Sequence, residues 1–207
     1  MASESNDRLV WIDCEMTGLD PAVEELVEVA VVITDYELTV LDPGFQIVIK
    51  PSDSALENMG DFVRQMHTTS GLLEEIPHGH TLVDAEAQVL DYLQKFVPDA
   101  GVAPLAGNTI GTDRVFLAKE MPLVHSHVHY RNIDVSTIKE LSKRWFPKSY
   151  FQSPEKNGGH RALADILESI RELEYYRRAV FVESPGLATA ELKIVTKAIT
   201  KQWESRL

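Results

Sequence analysis

The chain has 207 residues and a mass of 23.2 kDa, with 44% hydrophobic and 25% charged residues, which is enough for one domain with a sizeable core and short for two. No apolar run approaches a membrane span, the polar start MASESNDR has no signal-peptide pattern, and the single cysteine, Cys14, excludes an internal disulfide or a cysteine-built zinc site, so a cytoplasmic protein is the simplest expectation. The net charge of -12 argues against a grip on long duplex nucleic acid through many phosphate contacts.

That charge is uneven. Residues 1–100 carry 20 acidic against 4 basic side chains, whereas residues 131–161 carry 7 basic against 3 acidic. An acidic half beside a basic segment suits a site that holds cations and a small anion together. A solvated acidic surface has the same composition.

In chain order, residues 8–14 (RLVWIDC), 26–36 (LVEVAVVITDY) and 45–50 (FQIVIK) read as three strands of a meander, with Asp42-Pro43-Gly44 turning between the last two. Residues 59–66 read as a short helix. Residues 82–97 read as a longer one with Val83, Ala87, Leu90, Leu93 and Val97 on one face, stopped by Pro98. A fourth strand is expected at 102–106, a helix at 112–121 ended by Pro122, and a fifth strand at 132–135. A helix at 136–145 aligns Ile138, Leu141 and Trp145. A long helix at 161–180 turns Leu163, Ile166, Leu167, Ile170 and Leu173 to the core. Three strands followed by alternating helices and strands predict an α/β fold, a mixed sheet covered by helices. Beyond Ser184-Pro185-Gly186 the tail is separate, with Leu192, Val195, Ile199 and Trp203 along one side of a last helix.

Asp13 and Glu15 end the first strand. Strand period sends both carboxylates to one side and Val10, Ile12 and Cys14 to the other. Such a pair repels itself, and a divalent cation removes the conflict; a solvated pair of acids is the plainer alternative. Asp113, after the loop Gly107-Asn108-Thr109-Ile110-Gly111, opens a helix, where complementing the dipole would be role enough. His160 and Asp165 are five residues apart and would not share a helical face. His160 therefore belongs on the preceding loop, to which Gly158-Gly159 give the freedom to fold it back over Asp165.

Taken together, this ordered set resembles the His-type DEDD exonucleases, which share an RNase H-like fold, here a mixed five-stranded sheet flanked by helices. The strings WIDCEMTGLD (11–20), GNTIGTDRVFL (107–117), HYRNIDVSTIKEL (129–141) and GGHRALADILESI (158–170) are similar to the oligoribonuclease family. The likeness runs over 8–181, an exonuclease domain, and leaves 182–207 as a tail.

The resemblance implies 3′→5′ hydrolysis of very short single-stranded RNA, down to dinucleotides, with two divalent cations, Mg2+ or Mn2+. Asp13, Glu15, Asp113 and Asp165 would be ligands, with Asp13 as bridge, and His160 the general base. It further implies that Leu19 and Phe62 hold bases, the family usually having tryptophan at Phe62, and that His67 contacts substrate. Arg131, Ser136, Lys139 and Thr109 would cap a 5′ phosphate. Tyr130 would reach the active site of a partner in a homodimer, which nothing in the composition shows. His125, His127 and His129 alternate and could bind zinc on a strand, but a surface cluster with incidental metal affinity is preferred; His78 and His80 read as a loop. The alternatives are a proofreading-type DNA exonuclease and a non-catalytic binding module on the same fold.

Overall fold

The computed structural model describes residues 7–156 and 159–204. The first six residues, Gly158 of the diglycine and the last three residues of the tail lie outside the described residues.

Strands β1 (Leu9–Met16), β2 (Leu26–Thr34) and β3 (Phe45–Val48) come first, then helices α1 (Asp53–Asn58), α2 (Asp61–Thr69), α3 (Leu72–Glu75) and α4 (Leu82–Phe96). Strand β4 (Pro104–Gly107), helices α5 (Gly111–Glu120) and α6 (Pro122–His127), strand β5 (His129–Asp134) and helices α7 (Val135–Trp145), α8 (Pro147–Phe151), α9 (Ala162–Ala179) and α10 (Thr189–Trp203) complete the order. The sheet runs β3-β2-β1-β4-β5, antiparallel from β3 to β1 and parallel from β1 to β5. This is the expected mixed five-stranded α/β architecture.

The sheet is covered on both faces, which explains why β2 is apolar at nearly every position. One face puts Val10, Ile12, Cys14, Val29, Val31 and Ile33 against α4, α5 and α6. The other sets Leu9, Trp11, Ala30 and Val32 against Ala162, Ile166 and Ile170 of α9. Asp13 and Glu15 continue this second face beyond Trp11, so strand alternation alone delivers both carboxylates to the α9 side.

Several helical faces are rotated from expectation. Thr81 caps α4, accepting from the Asp84 amide, and the buried stripe is Ala85, Val89, Tyr92 and Leu93; Val83 is exposed. Tyr92 sets that rotation, stacking on Phe45 and donating to Asp42 at 2.9 Å. On α7 the buried residues are Val135 and Ser142, leaving Leu141 and Trp145 exposed. On α9, Ile166 and Ile170 are buried as expected and Leu167 is not; Ser169, Glu172 and Tyr176 are buried instead.

The histidine run is not a strand. Pro122 starts α6, which carries His125 and His127, and only His129 lies on β5. Nor is it a surface cluster, because His127 is buried with Nε2 donating to the Val97 carbonyl at 2.7 Å. His80 bridges Ile49 at the sheet edge rather than lying in an open loop. Helix α10 buries none of its residues. No helix among the described residues is long and apolar enough to cross a membrane.

Candidate active site

The Asp13 and Glu15 side chains emerge beside the first turn of α9, where Asp165 sits. Ligand atoms of these three residues lie within 4.8 Å of one another. Asp113, in the first turn of α5, stands beside them with Oδ1 accepting from the Cys14 amide at 3.0 Å, the amide between the two strand carboxylates. Four acids from three elements therefore converge, and each is held above its ordinary ionisation range. Burial is the main cause for all four. Asp113, Glu15 and Asp165 add to it at Asp13; Asp165, Glu28 and Asp113 add to it at Glu15, which reaches about 8. Asp113 reaches about 7 despite hydrogen bonds from its own and the Cys14 amides that favour its charged form, and Asp165 is raised with Glu168 contributing. Desolvated carboxylates without thiolates are a donor set for a hard divalent cation, so the residues present fit one.

His160 is exposed and has a left-handed backbone, φ 48°. The left-handed residue described in this loop is the histidine itself. It lies close enough to Asp165 and His67 for a charge on its ring to act on both. The next residue, Arg161, fixes the loop. Its guanidinium donates to the fully buried Glu28 (2.8 and 3.1 Å) and to Glu75 (2.8 and 3.1 Å), and Glu28 also accepts the Ala162 amide at 2.9 Å. Glu28 lies opposite Glu15 across β1 and β2. Sheet and helix are thus pinned together at the edge of the acid cluster.

A polar patch lies at the end of β4. Gly107 is required there because a Cβ would stand 3.0 Å from the Ile12 carbonyl. Thr109 takes the left-handed conformation, φ 54°, although glycines flank the loop. Asp134 stabilises it by accepting both the Thr109 and Ser136 amides, at 3.0 and 2.9 Å. The Thr109 and Ser136 hydroxyls meet at 3.0 Å, and Ser136 Oγ donates to Asn108 Oδ1. Lys139 reaches this patch from α7. Arg131 is exposed on β5, its guanidinium over the Tyr130 ring at 5.4 Å, and Tyr130 projects into solvent.

Leu19 and Phe62 are exposed apolar side chains on the loop after β1 and at the start of α2. His67 is completely buried. Its Nε2 donates to the Met16 carbonyl at 2.9 Å, which leaves Nδ1 as an acceptor 3.9 Å from Glu15 Oε2. Burial pushes the imidazole towards its neutral form, against the Met16 hydrogen bond. The ring thereby ties α2 to the end of β1.

Reading the sequence missed Glu28, Arg161, Asp134, Lys156 and Glu172. Glu28 had a signal, as the one acid in the apolar run LVEVAVVIT. Asp165, Ser169, Glu172 and Tyr176 follow the spacing of one helical face. Lys156 had none.

Comparison with known proteins follows this geometry. The Exonuclease family model (RNase_T) matches residues 10–173. An oligoribonuclease from Leifsonia xyli subsp. xyli is 66% identical over 203 residues, 98% of each chain. An oligoribonuclease from Streptomyces avermitilis is 60% identical over 181 residues, 87% of this chain and 90% of its own. Among solved structures, an E. coli ExoI–ssDNA complex in its zinc-bound form superposes with a TM-score of 0.66 at 14% identity, covering 83% of this chain and 40% of that one. That likeness is one of fold, and the chain spans about two-fifths of that exonuclease's length.

Proposed function

The chain belongs to the oligoribonuclease family of exonucleases, and on that premise we propose that it cuts very short single-stranded RNA, dinucleotides above all, from the 3′ end to nucleoside 5′-monophosphates. It is a 3′→5′ exoribonuclease that uses divalent metal. The observation that supports the finer reading is the convergence of Asp13, Glu15 and Asp165 within 4.8 Å, with Asp113 anchored on the Cys14 amide. These four carboxylates would hold two ions, magnesium or manganese. When bound, they would stabilise charge on the attacking and leaving oxygens of an in-line displacement at phosphorus.

The chain's own residues supply the rest. His160, on its exposed loop, takes the proton of the attacking water as general base. Leu19 and Phe62 offer apolar surface to the bases, Phe62 with a smaller ring than tryptophan would give. His67, expected to contact substrate, is completely buried and bounds the site from beneath instead. Thr109, Arg131, Ser136 and Lys139 cap the 5′ phosphate and limit length. Tyr130 enters the site of a second copy, which makes the working unit a homodimer. Residues 8–181 form the exonuclease domain, acting in the cytoplasm, and 182–207 form a C-terminal tail.

Hydrolysis of 5′-labelled RNA and DNA of two to ten nucleotides, with Mg2+ or Mn2+ and with EDTA, tests this reading. The expected result is metal-dependent cleavage, fastest on the RNA dinucleotide. Equal cleavage of long chains would remove the phosphate cap, and faster cleavage of DNA would point to a DNA exonuclease.

A further inference from the structure

Glu172 lies on the Asp165 face of α9, two turns further along, and is buried. Its carboxylate gathers two lysines from separate elements. Lys139 of α7 donates to Oε1 at 3.0 Å, and Lys156, in the segment after α8, donates to Oε2 at 3.1 Å. Asn108 Nδ2 also donates to Oε2, at 3.2 Å, while its Oδ1 accepts from Ser136 Oγ, which meets Thr109 Oγ1. One connected set of hydrogen bonds thus fixes two hydroxyls and two ammonium groups, all of them phosphate donors, on a single acid.

One lysine would neutralise this carboxylate. The second adds a positive charge to a patch that also contains Asp134, the acid that holds the Thr109 and Ser136 amides. A lysine ammonium on its long stem is a mobile point charge, and ordering it at the moment of binding opposes affinity. Here both are ordered beforehand, by a buried group that cannot itself reach substrate. Lys156 is also close enough to the carboxylate cluster for its charge to favour ionised Asp13 and Asp165. It therefore stands between the polar patch and the acids.

We propose that Glu172 is a positioning residue for substrate choice, holding Lys139 and Lys156 side by side as a preformed cation site for the 5′-terminal phosphate, and that Lys156 is a further specificity-determining residue. This rests on the reading that Thr109, Arg131, Ser136 and Lys139 cap that phosphate.

Steady-state kinetics of the full chain with Mg2+ test it, on one RNA dinucleotide prepared with a 5′ phosphate and with a 5′ hydroxyl. For Glu172→Gln and Lys156→Met, KM for the phosphorylated dinucleotide rises about tenfold, as loss of a charge-assisted hydrogen bond implies. KM for the hydroxyl form stays within about twofold, and any change in kcat, which Lys156 can cause through Asp13 and Asp165, is the same on both substrates. A KM that rises equally on both substrates in both variants would make Glu172 a structural ion-pair partner and overturn the proposal. Should Glu172→Gln fail to fold, Lys156→Met decides alone, because Lys156 is exposed. If the unaltered chain prefers the phosphorylated form and Lys156→Met prefers it equally, this inference fails and the cap stands. If the unaltered chain does not distinguish the two forms, the cap itself fails, and this inference with it.

Discussion

Glu15 shows what concentrating acids does to a single residue. Burial, then Asp165, lift its carboxyl to about 8, while Asp113 reaches about 7 and Asp13 is raised well above its usual range. An unfolded glutamate titrates near 4.3. Between that pH and about 8 the ion-free folded chain holds more protons than the unfolded chain, so stability falls as pH rises through this window. A divalent cation takes the place of those protons. The rise in Tm on adding Mg2+ or Mn2+ is therefore expected to be larger at pH 8 than at pH 5.5, read by thermal melts with and without the ion. Equal rises would place the ion elsewhere. At His160 the expectation concerns rate. His160→Ala should keep its metal-induced Tm rise and lose turnover by about 10²–10⁴-fold, the usual contribution of a general base. Near-normal single-turnover rates would remove the imidazole from the reaction.

Among the elements, the loop after β4 and the start of α7 depend on one carboxylate. Asp134 caps α7 and also holds Thr109 in its left-handed conformation. Asp134→Ala should lower stability by about 1 kcal/mol, the usual loss at a cap, and raise KM for the phosphorylated dinucleotide. Urea unfolding and kinetics on the same preparation check both, and an unchanged KM would mean that the hydroxyls of Thr109 and Ser136 do not touch substrate. The strands and the acid positions were legible because strand alternation is short-range: Asp13 and Glu15 share a side whatever the rest of the chain does. Helical faces were less legible. An apolar count over α9 favoured Leu167, but Ser169 and Glu172 could be buried once Asn108, Lys139 and Lys156 supplied partners from other elements. The α6 histidines were misread for a similar reason, since Pro122 can end one helix and open the next. The left-handed Thr109 and His160 could not be read at all, because neighbours remote in sequence, not their own residue types, hold their loops.

For the whole molecule, the chain leaves Tyr130, Trp145 and Phe151 exposed on β5, α7 and α8. A homodimer would cover such side chains. Sedimentation equilibrium should give about twice the chain mass of 23.2 kDa. Trp145→Glu should return it to the single-chain value and reduce dinucleotide hydrolysis, since Tyr130 would then complete no neighbouring site. A monomer with full activity would exclude the shared site.

The acid cluster also bears on how the chain is made. Asp13 and Glu15 are synthesised first, whereas His160, Arg161 and Asp165 come almost 150 residues later. Until Arg161 arrives, Glu28 lacks the counter-charge that pairs with it, and the acid cluster lacks Asp165. The proposed metal site is thus incomplete in a growing chain until α9 emerges and docks on the sheet.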